Sequence, residues 1–163
     1  MFAADQLKAA ETLLASCRKA GLRIATAESC TGGLVAGLLT SIAGSSDVVE
    51  RGFVVYSNKA KQELLGVSAA VIKAKGAVSE EVARALAEGA IGHSDADLAV
   101  AVTGIAGPGG GGPDKPVGLV HIAAARKGRA TRHERHVFAG DRAAVRAQSV
   151  DAALELLSRL AAG

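Results

Sequence analysis

Apolar residues recur at three- and four-residue intervals through positions 3 to 20, where Leu7, Ala10, Leu13, Leu14 and Cys17 share one face and Gly21 follows as a stop. This spacing predicts an amphipathic helix. The apolar run over 22 to 27 lacks that spacing and reads as a buried strand. Beyond a Ser-Cys-Thr-Gly-Gly turn, Leu34, Val35, Leu38, Leu39 and Ile42 predict a helix over 31 to 41. Ala43 to Asp47 is a turn and Gly52 to Tyr56 a second strand. Asn58 is expected to cap a short helix closed by Gly66, Ser68 to open another, and Ser79-Glu80-Glu81-Val82 to start a helix reaching about Ile91. Asp97 to Thr103 is a strongly apolar strand, Gly104 to Pro116 a glycine- and proline-rich loop, and Val117 to Ala125 a fourth strand. A two-residue turn at Lys127-Gly128 cannot make a parallel crossover, so Thr131 to Phe138 is expected as an antiparallel edge strand. Asp141 caps a last helix whose Val145, Ser149, Ala152, Leu156 and Leu160 share a face.

Helices that alternate with nearly continuous apolar strands imply an α/β fold, a three-layer α/β/α sandwich around a mixed, mostly parallel sheet of about five strands. With 163 residues, 49% of them hydrophobic, residues 1 to 163 suit a single domain. There is no apolar run of roughly 18 residues and no basic-then-apolar amino terminus, so neither a membrane partner nor a secretory signal is expected, and the predicted location is cytoplasmic. The net charge of +3 comes from 19 basic and 16 acidic residues, and only Lys127 to Arg135 is locally basic. One Tyr, three Phe and no Trp leave few platforms for base stacking, so nucleic acid is not the expected partner. A mild positive field suits a small phosphorylated substrate instead. Cys17 and Cys30 show no metal-ligand spacing and read as thiols; His93, His121, His133 and His136 form no zinc pattern, and His133 and His136 fall on opposite faces of their strand. No metal or other cofactor is expected.

The candidate chemistry begins at Thr26-Ala27-Glu28-Ser29-Cys30-Thr31-Gly32-Gly33. A hydroxyl between a strand and a glycine-rich helix start has two readings: Ser29 or Thr31 caps the helix, or Ser29 is a nucleophile whose oxyanion meets the first helical N–H groups. Tyr56-Ser57-Asn58-Lys59-Ala60-Lys61 is the second signal. With Asn58 as cap, Lys61 falls in the first helical turn, where the positive dipole end and partial desolvation would lower its pKa toward that of a base; the competing reading is a surface lysine. Tyr56 reads either as a proton relay or as a packing residue with a wet tip. The run from Gly104 through Gly107 to Pro113 lacks a Walker ending and a dinucleotide fingerprint, leaving a ligand loop or a connector. Ser29, Tyr56 and Thr103 all stand at or just after the carboxyl end of a predicted strand, where open α/β sheets gather ligands. Arg142, at the start of the last helix, is either a phosphate contact or a solvated arginine.

Together with Gly76-Ala77-Val78-Ser79-Glu80, Val102-Thr103-Gly104-Ile105-Ala106-Gly107-Pro108, Lys115-Pro116-Val117-Gly118 and Gly140-Asp141-Arg142, these blocks resemble the CinA carboxy-terminal-domain family, which includes stand-alone nicotinamide-nucleotide amidohydrolases. The resemblance implies hydrolysis of the carboxamide of nicotinamide mononucleotide to nicotinic acid mononucleotide and ammonia. It implies a catalytic set of Ser29, Tyr56 and Lys61 without metal. It also implies substrate contacts around Cys30, Thr31, Gly32, Gly33, Thr103, Gly104, Gly107 and Arg142. Cys30 is a competing nucleophile if the helix end makes it a thiolate. Some members carry an amino-terminal pyrophosphatase-type domain, whose activity is expected to be absent here. A homodimer is the expected assembly. The alternative function is a non-catalytic interaction module associated with competence or DNA damage.

Overall fold

A computed structural model describes all residues, 1–163. In chain order the elements are α1 (Ala4–Ala20), β1 (Ile24–Glu28), α2 (Leu34–Thr40), a 3-10 turn (Ser45–Asp47), β2 (Val49–Val54), α3 (Asn58–Leu65), α4 (Ala69–Lys75), α5 (Glu80–Gly92), β3 (Leu98–Gly104), β4 (Leu119–Arg126), β5 (Arg132–Val137) and α6 (Arg142–Ala162). The sheet order is β2-β1-β3-β4-β5. Strand β1 is parallel to both its neighbours, whereas β3–β4 and β4–β5 are antiparallel, so the sheet is mixed and only β4 runs against the rest. Strand β5 is the antiparallel edge strand that the short turn at Lys127-Gly128 requires.

The sheet's two faces differ in side-chain size. Strand β3 turns Leu98, Val100 and Val102, with Val120, Ile122 and Ala124 of β4, toward a layer made by α1, α2 and α6. Its alternate residues Ala99 and Ala101, with Ala123 and Ala125, face α5, which α3 and α4 back. Small side chains bring α5 close to the sheet, and branched ones fill the wider space on the opposite side. Close approach recurs at Gly89 of α5, where an added Cβ would collide with the Leu65 carbonyl of α3.

Several boundaries differ from the sequence reading, each for a local reason. Strand β2 begins at Val49, earlier than its apolar stretch suggests, because pairing with β1 sets its extent and its outer edge carries polar residues. Val55 and Tyr56 lie beyond it. Helix α2 starts at Leu34, because Gly32 and Gly33 adopt φ of 58° and 100° and hold the chain out of helix for one turn. Ser57, not Asn58, caps α3, its hydroxyl accepting the Ala60 amide at 3.0 Å. The chain leaves β1 toward β2 over one face and passes from β2 to β3 over the other. That reversal opens a crevice beyond the carboxyl ends of β1 and β3.

Candidate active site

Ser29 directly follows β1, and its amide is tied to the Val102 carbonyl of β3 at 2.9 Å. Lys61 reaches it from α3: Nζ lies 3.2 Å from Ser29 Oγ, 3.0 Å from the Val55 carbonyl and 3.2 Å from the Tyr56 carbonyl. Lys61 is only 1% exposed and has no carboxylate within salt-bridge reach of its amine among its hydrogen-bond partners. Burial, rather than the helix end, lowers its pKa from the usual lysine value. As a neutral amine it has two N–H groups for the two carbonyls and one lone pair for the Ser29 hydroxyl, so deprotonation leaves every group satisfied.

Tyr56 contributes to this contact through its backbone. Its side chain is 59% exposed, and its phenol accepts from Arg142 Nη2 at 3.2 Å rather than touching Ser29 or Lys61. Arg142 also donates to the Gly107 carbonyl at 2.9 Å, joining the glycine-rich loop to α6. Ser29, Cys30, Tyr56, Lys61, Thr103, Gly104 and Arg142 line one cavity of ≈ 230 Å³, with Ala77 and Val78 on its far wall. A second, more open cavity shares Ala106 and Arg142 with it and adds Arg146 and Asp141. The three strand ends singled out from the sequence therefore meet in one place.

Thr31, Gly32 and Gly33 do not line that cavity, and the reason is Glu28. Its carboxylate, 0% exposed, accepts from Thr31 Oγ1 at 2.6 Å and from the amides of Gly33, Val35 and Ala36 at 3.1, 3.0 and 2.9 Å. The start of α2 is thus filled by the protein's own carboxylate and is not open to a substrate anion. The amides of Cys30 and Thr31 have no backbone acceptor; Cys30 lines the cavity, whereas Thr31 is fully buried. Thr103 is turned inward as well, its hydroxyl donating to the Ala77 carbonyl at 2.9 Å and fixing the cavity wall. Gly104 has a packing reason to lack a side chain, since a Cβ there would meet Val120 at 2.7 Å.

Cys30 is a neutral thiol. Burial pushes its pKa up to about 11, against lowering by its own backbone amide and by Arg146. Burial thus outweighs any help from the helix amino end toward the competing thiolate reading, and the charge of Glu28 adds to it in the same direction. His121 Nδ1 and His133 Nε2 are 2.8 Å apart, whereas His136 stacks on Phe138 across the strand. No group of three or more metal-ligating side chains occurs, and no helix is long and apolar enough to cross a membrane.

Two residues of this site escaped the sequence reading. Glu28 was readable as the one acid in a fully buried strand, which must find partners. Arg146 lies four residues after Arg142, hence on the same face of α6. Replacing Glu28 by Gln puts an N–H donor against backbone donors, and this variant is expected to lose about 2 kcal/mol of stability in urea unfolding.

The family model for the CinA C-terminal domain matches residues 6–161. The chain belongs to this family. It is 45% identical over 159 residues to a putative competence-damage inducible protein of Caldicellulosiruptor bescii, covering 98% of this chain and 38% of the relative. A CinA-like protein of Anaeromyxobacter dehalogenans is 55% identical over 137 residues, covering 84% and 33% respectively. The chain thus spans between 33% and 38% of these two curated relatives. Among solved structures, the competence/damage inducible protein CihA from Agrobacterium tumefaciens superposes with a TM-score of 0.96 at 47% identity, covering 98% of both chains. The competence damage-inducible protein A from Klebsiella pneumoniae gives 0.92 at 36% identity, covering 96% of this chain and 97% of that one. The CinA domain therefore accounts for almost the whole chain.

Proposed function

We propose that this CinA-family domain hydrolyses the carboxamide of nicotinamide mononucleotide, giving nicotinic acid mononucleotide and ammonia. The observation that carries this reading is the Lys61–Ser29 contact: a buried lysine of lowered pKa, 3.2 Å from a serine hydroxyl at the floor of a cavity. Neutral Lys61 takes the Ser29 proton as Oγ attacks the carboxamide carbon. The amide of Cys30, the first after the nucleophile and at the cavity wall, is the backbone donor placed to receive the oxyanion. Protonated Lys61 then returns the proton to the leaving nitrogen, ammonia departs, and water cleaves the acyl-enzyme by the same route. The direct contact supports transfer without a tyrosine relay, and leaves Tyr56 to hold Arg142 at the cavity mouth. The smaller cavity suits a planar carboxamide-bearing ring, and the adjoining one, with Arg142 and Arg146, suits the sugar phosphate.

Incubation of the protein with nicotinamide mononucleotide is expected to release ammonia and the nicotinic acid nucleotide in equal amounts. Absence of both products across a broad pH range, together with salt-sensitive DNA binding, would favour the interaction module instead. Cys30→Ala is expected to keep the wild-type rate to within roughly a factor of three, because the thiol is neutral and alanine keeps the backbone amide. Steady-state ammonia release checks it.

A further inference from the structure

Asn58 opens α3, yet the bond that caps this helix belongs to the Ser57 hydroxyl. The Asn58 carboxamide is therefore free for another task, and it lines the cavity that holds Ser29 and Lys61. Three residues before Lys61, it stands on the same face of α3 as that amine. Helical side chains lean toward the amino terminus, and Lys61 does so: its Nζ lies 3.0 Å and 3.2 Å from the carbonyls of Val55 and Tyr56, which precede the helix. Its amine is thus carried back to the turn that Asn58 begins. Among the polar side chains of the cavity, Ser29 and Lys61 face each other, Tyr56 and Arg142 hold each other, and Thr103 is turned to the Ala77 carbonyl. Asn58 is left uncommitted.

We propose that Asn58 is a catalytic residue for the departure of ammonia, its Oδ1 accepting an N–H of the substrate carboxamide and so turning the nitrogen toward Lys61. This inference rests on the amidohydrolase reading above. Once Ser29 Oγ has bonded to the carboxamide carbon, the nitrogen carries two N–H groups and one lone pair. That lone pair must take the proton that Lys61 received from Ser29; the C–N bond then breaks with its electrons to nitrogen, the C=O re-forms and ammonia leaves. Rotation about the C–N bond would otherwise set an N–H against the Lys61 ammonium, donor against donor. An acceptor beside Lys61 that engages one N–H fixes the productive rotation. A carboxamide does so without charge, whereas a carboxylate in its place would hold Lys61 in the protonated form.

The test compares two leaving groups, in nicotinamide mononucleotide and in the methyl ester of nicotinic acid mononucleotide, on the wild type, Asn58→Ala and Asn58→Asp. In the ester the Ser29 Oγ–C bond forms, the C–O bond breaks and methoxide takes the proton from Lys61 to leave as methanol, with no N–H to orient. The readout is kcat/KM, which reports acylation and not the shared cleavage of the acyl-enzyme. Asn58→Ala is expected to lower it roughly 30-fold for the mononucleotide and by no more than about three-fold for the ester. Asn58 is exposed and Ser57 keeps the cap, so thermal melting should be unchanged. Asn58→Asp keeps an acceptor but sets a negative charge beside Lys61. Its rise of kcat/KM with pH should therefore move to higher pH, and above that rise it should cleave the mononucleotide faster than Asn58→Ala.

An equal loss on amide and ester overturns the inference and leaves the amidohydrolase reading standing, since it marks a contact to the sugar phosphate or the oxyanion. Wild-type cleavage of the mononucleotide by Asn58→Ala, or an unmoved pH profile in Asn58→Asp, does the same. A wild type that leaves the mononucleotide intact, whatever it does to the ester, overturns that reading and this inference with it.

Discussion

Replacing Ser29 by alanine is expected to lower kcat for carboxamide hydrolysis by on the order of 10⁴-fold or more, with no loss of folding. The side chain is small and 9% exposed, so its removal leaves little cavity, and the backbone bond from its amide to Val102 is kept. KM should change little, because the hydroxyl contributes to the bond being formed more than to holding the ring. Mass spectrometry of a stopped reaction gives a second check: the wild type should carry the acyl group of nicotinic acid mononucleotide, ribose phosphate included, on the peptide containing Ser29, and the variant should carry none. Wild-type ammonia release by Ser29→Ala would reject the mechanism outright.

Lys61→Met is expected to cost on the order of 10³-fold or more in kcat, since methionine matches the lysine stem in length and removes only the base. The double variant Ser29→Ala/Lys61→Met should be no slower than Ser29→Ala, because the two groups act as a unit. The pH dependence follows from the direction of the shift. Burial lowers the pKa of Lys61, so kcat/KM should rise with pH as the amine loses its proton and level off above that lowered value. Stability carries the same sign. The unfolded chain binds the proton up to the ordinary lysine value of 10.5, whereas the folded chain releases it earlier. Wild-type stability should therefore fall as pH drops from 10.5 to the folded pKa and stay level below it. Lys61→Met should lack this slope, and urea titrations of both proteins across that range would show it.

Glu28 and Lys61 show how burial is turned to opposite ends at one site. Glu28 is surrounded by donors and holds α2, whereas Lys61 meets two carbonyls and a hydroxyl and is driven toward its neutral form. A carboxylate beside Lys61 would keep it charged and useless as a base. Placing the acid one residue before the serine, and aiming it into the helix start, keeps the two apart.

The order and type of the elements follow from the sequence by itself, because apolar periodicity reports which face each segment buries and the cap residues mark where helices begin. The short turn before β5 likewise leaves only an antiparallel pairing. The grouping of Ser29, Tyr56 and Thr103 was legible too, since each ends a predicted strand and parallel strands bring such ends together. What only the tertiary structure decided is which partner each polar group takes. Spacing on α3 could not tell a surface lysine from a buried one; the packing of α3 against α5 brings Lys61 inward to Ser29. Nor could spacing show that the amino end of α2 is already filled, because the filling group comes from the preceding strand and its reach depends on the glycine turn between them. Arg146 is the furthest case. Its grip on the Cys30 and Thr31 carbonyls joins residues 116 and 115 positions apart, and only the docking of α6 on β3 and β4, against α2, brings them together.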